Sequence, residues 1–106
     1  MKEIRIYVGL NDSETLSQKF DDEVYISLLK KVCYSYRVPF SFSVSEGGYF
    51  HENGDYSQER TLVLSLINAE EELATEIAKD LCVFFHQESV LMTTSDVKSV
   101  FINEVL

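Results

Sequence analysis

The sequence predicts an α+β fold with a single domain, and three observations support this. Segments with a two-residue apolar period alternate with segments of helical period in the order strand, helix, strand, strand, helix, strand. An Asn-Gly pair lies between the two middle strands and favours a hairpin. Right-handed crossovers arrange these elements as a ferredoxin-like plait (βαββαβ), a four-stranded antiparallel sheet with two helices on one face. A related α+β sandwich with another strand order is the alternative.

The N-terminal part predicts the first strand and the first helix. Apolar side chains occupy alternate positions over residues 4–10, as in a half-buried strand. Thr15 and Gln18 have the spacing of a capping box, which predicts the start of a helix. An apolar stripe follows over residues 20–36, and Pro39 ends this helix.

The middle of the chain predicts two paired strands. In residues 40–45, apolar side chains alternate with serines that are predicted to face water or a second subunit. Gly47-Gly48 predicts a bulge or a close backbone approach, and Asn53-Gly54 predicts the turn. Residues 59–67 form the return strand, and their apolar side chains on both faces favour a central position in the sheet.

The C-terminal part predicts the second helix and the last strand. Asn68 with Glu71 forms an N-cap and capping-box pattern, and apolar residues spaced by four then continue to Phe85. The helical period breaks at Gln87. Residues 90–94 and 97–102 are predicted to be strand, interrupted by a turn or bulge near Ser95 and Asp96.

Length and charge limit the classes of function. A chain of 106 residues is one domain, residues 1–106, by size. The net charge of -9 disfavours nucleic acid and anionic membrane surfaces as partners. Cys33 and Cys82 lack metal-type spacing and are predicted to be reduced thiols in the core. Met1-Lys2-Glu3 leads directly into a strand rather than a leader peptide, which predicts a cytoplasmic protein.

The predicted topology brings distant polar residues to one edge of the sheet. The ends of strands one and two and the starts of strands three and four share this edge, which we call the rim. The hairpin with His51 projects from the rim, and His86 ends the second helix beside it. The candidate rim residues are Gly9, Asn11, Asp12, Glu46, His51, Glu59, His86, Gln87, Glu88 and Ser89.

The residue types at the rim are compatible with several chemistries. Histidines with carboxylates can bind a divalent metal, but no recognised ligand spacing is present, so neither a metal nor a cofactor is predicted. Paired carboxylates can act as general acid and base when one of them is desolvated. Ser89 lacks the surroundings of a nucleophile. The favoured interpretation is structural, with Glu59 and Glu88 accepting backbone N–H groups or pairing with Arg60.

The run from Phe85 to Leu91 (Phe-His-Gln-Glu-Ser-Val-Leu) resembles the C-terminal signature of an uncharacterised bacterial family, the domain of unknown function 3574. Tyr7-Val8-Gly9-Leu10 is similar to that family's first strand, Gly48-Tyr49-Phe50 to its Gly-x-Trp, and Glu59-Arg60-Thr61 to its Glu-x-Ser. This chain has no tryptophan, and Phe20 and Phe50 stand where the family tends to have one. The resemblance implies that Gly9, Glu59, Gln87 and Glu88 belong to one structural feature.

Three functional hypotheses follow. The first is a non-enzymatic domain, a homodimer, that binds a partner or small ligand, because a plait leaves one sheet face uncovered. The second is an enzyme with Glu59 or Glu88 as base, assisted by His51 or His86. The third is a trimeric regulatory plait that binds a ligand between subunits. No residue is assigned as catalytic.

Overall fold

The computed structural model describes residues 1–104 and contains the six expected elements. The strands pair antiparallel in the order β2-β3-β1-β4. This order is that of the ferredoxin-like plait, so the predicted fold class is confirmed and the alternative strand order is wrong. The elements are β1 (Lys2–Gly9), α1 (Asp22–Tyr36), β2 (Ser41–Phe50), β3 (Tyr56–Ile67), α2 (Glu71–Phe84) and β4 (Leu91–Asp96).

The core lies between the sheet and the two helices. Because side chains alternate along a strand, every second residue of β1 and β3 points toward the helices. Three of these residues in each strand, over residues 4–8 of β1 and 62–66 of β3, are fully buried. Strand β3 is central because it pairs with both β1 and β2. The largest fully buried side chains are Ile4, Ile6, Val8, Leu10, Leu29, Cys33, Leu62, Leu64, Leu66, Ile77 and Leu81.

Within residues 1–104, no helix covers the opposite face of the sheet, which we call the open face. Ser41, Ser43 and Ser45 are exposed on this face, as the serine alternation predicted. Tyr7 and Val63 are half-buried beside them and face each other across β1 and β3. The side chains of the open face are therefore small and polar over residues 41–45 of β2, and partly apolar on the central strands β1 and β3.

The β2–β3 hairpin extends well beyond the rest of the sheet. The pairing of β1 with β3 ends at Gly9 and Thr61, whereas β2 and β3 stay paired as far as Phe50 and Tyr56. Gly54 has a φ of +93°, which explains the glycine in the predicted turn. The extension contributes to a molecule 58 Å long and 28 Å wide.

Of the two interpretations of Gly47-Gly48, the structure contains only the close approach. The register of β2 and β3 continues through both glycines, so the bulge is wrong. A Cβ at Gly48 would lie 2.5 Å from the backbone oxygen of Ser57, whereas a Cβ at Gly47 would meet nothing within 4 Å.

Both predicted capping boxes are wrong. Helix α1 begins at Asp22 after the N-cap Asp21, and Gln18 instead donates a 2.9 Å hydrogen bond to the Asp22 carboxylate. Helix α2 begins at Glu71 after Glu70, and neither N-cap side chain bonds to its helix. Asn68 has a left-handed φ of 59° and donates its backbone N–H to the oxygen of Lys2. Pairing with β1 thus holds Asn68 outside the helix.

The predicted strand over residues 97–102 is also wrong. Strand β4 ends at Asp96, and one further bond joins the N–H of Val97 to the oxygen of Met1 at 2.9 Å. The described pairing of β4 with β1 spans Leu91–Asp96 and Lys2–Tyr7. Within residues 1–104, the strand propensity of the following residues therefore has no partner strand.

Both cysteines are free thiols. Cys33 is fully buried, and burial raises the pKa of its thiol to about 11. Cys82 is half-buried rather than part of the inner core. Among the helices described, none is long and apolar enough to cross a membrane.

Candidate functional site

The rim is organised around Asn11, the second residue after β1. The N–H of Leu10 donates to the oxygen of Arg60 at 3.0 Å and keeps the chain against β3. The Asn11 side chain then donates to the oxygen of Gln58 at 3.2 Å, and its backbone N–H donates to the Glu59 carboxylate at 3.3 Å. Asn11 thereby fixes the end of β1 to the base of the hairpin.

Glu59 lies against Gly9 on the open face. A Cβ on Gly9 would lie 2.7 Å from a carboxylate oxygen of Glu59, so a larger residue at position 9 would displace this carboxylate from its observed position. Glu59 is half-buried, and within residues 1–104 no Lys, Arg or His nitrogen lies within 4.0 Å of its carboxylate. The rim thus holds a negative charge on the open face without a neighbouring positive side chain.

Gln87 ties the end of α2 to the same loop. Its side-chain amide donates to the oxygen of Asn11 at 2.7 Å and to that of Phe85 at 3.3 Å. Its backbone N–H donates to the oxygen of Cys82 at 3.0 Å. The N–H groups of Gln87 are therefore used in hydrogen bonds that connect the end of α2 to the loop after β1.

The other candidate residues lie apart from Glu59. Glu88 is exposed and makes no hydrogen bond or ion pair with the described part of the chain. His51 bonds to the hydroxyl of Ser57 at 2.7 Å in the hairpin loop. Ser57 is two residues from Glu59 on the same face of β3, about 7 Å along the strand, and no His51 nitrogen lies within 4.0 Å of the Glu59 carboxylate. The rim brings Gly9, Glu59 and Gln87 together around Asn11 and leaves His51 outside.

His86 lies beside Asp12, a candidate rim residue whose burial was not predicted from the sequence. Asp12 is 5% exposed, and its side chain accepts the N–H groups of Glu14 at 2.8 Å and Thr15 at 3.3 Å. These backbone bonds, the Glu14 bond foremost, lower the pKa of Asp12, and Lys19 at 3.4 Å adds to the effect. The His86 Nδ1 is 3.9 Å away. Asp followed by polar residues after a strand is the usual signal for such a turn.

Arg60 does not pair with its neighbour Glu59, because successive residues of a strand point to opposite faces. Its guanidinium instead lies on the face of the sheet that the helices cover. It donates hydrogen bonds to the Asp22 carboxylate at the start of α1, with Nε 3.0 Å from Oδ2. It also forms an ion pair with Glu46 on β2. The side-chain bond from Arg60 is the main cause that lowers the pKa of Asp22.

The Asp22–Arg60 contact predicts a pH-dependent stability. A carboxyl whose pKa is lowered by folding stabilises the protein above its unfolded pKa, and this contribution is lost as pH falls through the folded pKa. We expect Asp22→Asn to melt at a lower temperature than the native protein at pH 7. The difference should begin to narrow below about pH 4, where Asp22 of the unfolded chain takes up a proton, and should close as pH falls through the lowered pKa of folded Asp22. The melting temperatures of both proteins are measured from pH 7 to pH 3. A difference in melting temperature that stays constant over this range would contradict the prediction.

Residues 1–104 contain no group of three or more His, Cys, Asp or Glu side chains arranged to hold a metal ion. The carboxylates of Glu59 and Asp12 each have their own partners, and His51 and His86 lie in different segments. What the rim presents chemically is a single half-buried carboxylate next to an open sheet face.

No family model matches this sequence. No curated protein matches it either. Several solved structures are similar in fold. A phage SAM lyase in complex with S-methyl-5'-thioadenosine is 21% identical, with a TM-score of 0.65, over 90% of this chain and 80% of the lyase. The same type of enzyme without ligand is 20% identical, with a TM-score of 0.64, over 99% of this chain and 92% of the lyase.

A second group of similar structures carries a different name. The periplasmic divalent cation tolerance protein CutA from Archaeoglobus fulgidus is 10% identical, with a TM-score of 0.57, over 95% of this chain and 88% of CutA. At these identities the likenesses establish the shared fold, since one plait hosts many activities.

Proposed function

We propose that this protein is a homodimer that binds a small adenosyl ligand at the rim, S-adenosylmethionine or S-methyl-5'-thioadenosine. The observation that carries the proposal is the half-buried Glu59 carboxylate, which lacks a cationic side-chain partner within residues 1–104. A carboxylate in this setting attracts a cation such as a sulfonium or ammonium group, or accepts hydrogen bonds from a ribose diol.

The hairpin adds an aromatic surface at a suitable distance. Tyr49 pairs with Ser57, so it is the diagonal neighbour of Glu59 on the same face of the hairpin. Diagonal neighbours in an antiparallel pair are about 7–8 Å apart, so one small ligand can contact both side chains. Adenine stacked on Tyr49 would place the ribose and sulfur near Glu59. The likeness to the phage SAM lyase supports this choice of ligand.

The homodimer is proposed because the rim site is open in one chain. Glu59 and Tyr49 stand on the uncovered face of the sheet and hairpin, where a single copy supplies only one wall. A second copy would supply the other wall and cover Tyr7 and Val63. Light scattering at high micromolar concentration would show twice the mass of one chain. A single-chain mass would contradict the dimer, and a threefold mass would favour the trimeric plait.

The ligand is tested with a charge-neutralising variant and a matched control. We expect calorimetry to show binding of S-adenosylmethionine by the native protein and an affinity lower by about tenfold or more for Glu59→Gln, since a hydrogen bond to a charged group contributes about 1.5–3 kcal/mol. Glu72→Gln removes an equal charge from an exposed position in the first turn of α2 and should bind normally. No binding at millimolar ligand, or equal affinities for both variants, would overturn the proposal.

An enzymatic role at the same site is the second candidate, favoured by the same SAM lyase likeness. Conversion of S-adenosylmethionine to S-methyl-5'-thioadenosine breaks the bond between sulfur and the amino-acid chain. The electron pair of that bond goes to sulfur, and the chain closes on its own carboxylate as a lactone. Glu59 would hold the cationic substrate in place. Chromatography after incubation distinguishes the candidates, because a pure binding protein releases no S-methyl-5'-thioadenosine above the spontaneous rate.

We also propose that this chain is related to the domain of unknown function 3574. Gly9, Glu59 and Gln87 lie together around Asn11, an arrangement that gives a physical reason for their joint occurrence. We expect natural homologues that keep this glutamate to favour glycine at position 9, because a Cβ there would displace the carboxylate.

A further inference from the structure

Two exposed backbone features of the chain are complementary. The first is the segment after β4, residues 97–104, which we call the C-terminal segment. Its side chains Val100, Phe101 and Ile102 are 78–89% exposed, and its residues 98–104 have no regular structure. β-Branched and aromatic residues in succession favour a strand, provided that a partner strand is present.

The second feature is the outer edge of β2. In an antiparallel pair, hydrogen-bonded and non-hydrogen-bonded positions alternate. The N–H of His51 donates to the oxygen of Asp55 at 2.7 Å, so the odd-numbered residues of β2 point their backbone groups toward β3. The even-numbered residues point theirs outward, at Phe42, Val44, Glu46, Gly48 and Phe50.

This edge is the longer of the two that the sheet offers. Strand β2 has ten residues and runs without a bulge, about 33 Å of regular backbone. At the other edge, the bond from Val97 to Met1 sets the same alternation. It leaves only Met92, Thr94 and Asp96 of β4 with outward groups. A long regular edge without lysine or proline is a template for another strand.

We propose that the C-terminal segment of one copy pairs as an additional strand with the outer edge of β2 in a second copy. This deepens the self-association in the proposed function and is independent of its ligand. In a twofold dimer each copy would give one segment and receive one, so every segment and every β2 edge is covered.

The segment is unable to reach β2 of its own chain in a pairing geometry. Strands β4 and β2 are the two edges of the sheet, separated by three strand spacings or about 14 Å. Residues 97–104 extend about 26 Å at most. Crossing beneath β1 and β3 and then reversing direction would leave about two residues to pair. A second copy requires neither the crossing nor the reversal.

Charge does not oppose this contact, although the chain as a whole carries a net charge of -9. Within residues 97–104, Lys98 and Glu104 cancel formally. Glu46 on the β2 edge is already paired with Arg60. The two surfaces therefore meet without adding like charges to the interface.

The edge is tested with two variants at one position. Glu46→Pro removes an outward N–H that the ladder to β3 does not use, whereas Glu46→Ala loses the same side chain and keeps the N–H. We expect light scattering to show the Pro variant as a single chain and the Ala variant as a dimer. Unchanged far-UV circular dichroism would show that both are folded.

The segment is tested in the same way. Phe101→Lys places a charge in the pairing segment, and Val83→Lys makes the same change at an exposed apolar position of α2. We expect only Phe101→Lys to give single chains. If either Glu46→Pro or Phe101→Lys remains a dimer, the docking is overturned while self-association stands. A native protein that is a single chain at high micromolar concentration overturns both.

Discussion

Leu64→Ala is expected to lower the free energy of unfolding by about 2–5 kcal/mol. Leu64 is fully buried in β3, the strand that pairs with both β1 and β2, and its cross-strand partners are Ile6 and Phe42. Removing the isobutyl group loses its transfer energy and leaves a cavity between the sheet and the helices. Since small domains have total stabilities of about 5–15 kcal/mol, this loss is a large fraction of the whole.

Urea denaturation followed by circular dichroism measures the effect. Leu91→Ala is the matched control, because Leu91 is 61% exposed on β4 and its truncation should change stability by no more than about 0.5 kcal/mol. If Leu64→Ala and Leu91→Ala lowered the free energy of unfolding equally, the helices would not cover the face of β3 that carries Leu64.

The second large effect is expected at Gly48. Replacing it with alanine would bring the new methyl group within 2.5 Å of the backbone oxygen of Ser57 and against the Tyr56 side chain. Because backbone resists displacement, we expect a cost of about 1–3 kcal/mol. The neighbouring Gly47 faces open space, so Gly47→Ala should be neutral or stabilise the folded state by about 0.4–1 kcal/mol.

The two glycine variants are compared by amide hydrogen exchange, since the hairpin extends past the core and can open locally. Amides of residues 49–57 should exchange about tenfold faster or more in Gly48→Ala than in Gly47→Ala. Similar rates would show that the turn side of the hairpin does not depend on the close approach at Gly48.

The strands and helices were predictable where periodicity extends over several turns or residue pairs. The strand at residues 4–10 and the helical stripe ending at Phe85 both appear close to their expected places, and Asn53-Gly54 marks the turn. The errors lie at the boundaries. Thr15 has cap-like chemistry, but buried Asp12 holds residues 14 and 15 in a turn. Asn68 is likewise held by a backbone bond to Lys2.

The candidate rim was predictable only as a neighbourhood. The strand order places Asn11, Glu59 and Gln87 at one edge, and that order followed from the sequence of elements. Which of these side chains is held by the structure was not predictable. The Gln87 amide is bonded to Asn11 and Phe85, and Arg60 turns to Asp22. Such choices depend on which face each residue occupies and on distances between segments far apart in the chain.

The sequence by itself determined the α+β plait, because apolar periods and turn residues act locally and leave few topologies open. It also determined the strand propensity of residues 97–102. Only the tertiary structure decided that this propensity is unfulfilled in one chain, since β1 ends its pairing at Met1. Only the tertiary structure leaves Glu59 without a cationic side-chain partner in residues 1–104, because the pleat of β3 sends Arg60 to the other face. The apolar period of a sequence predicts which face of a strand or helix a residue occupies, whereas its contact partners depend on tertiary packing.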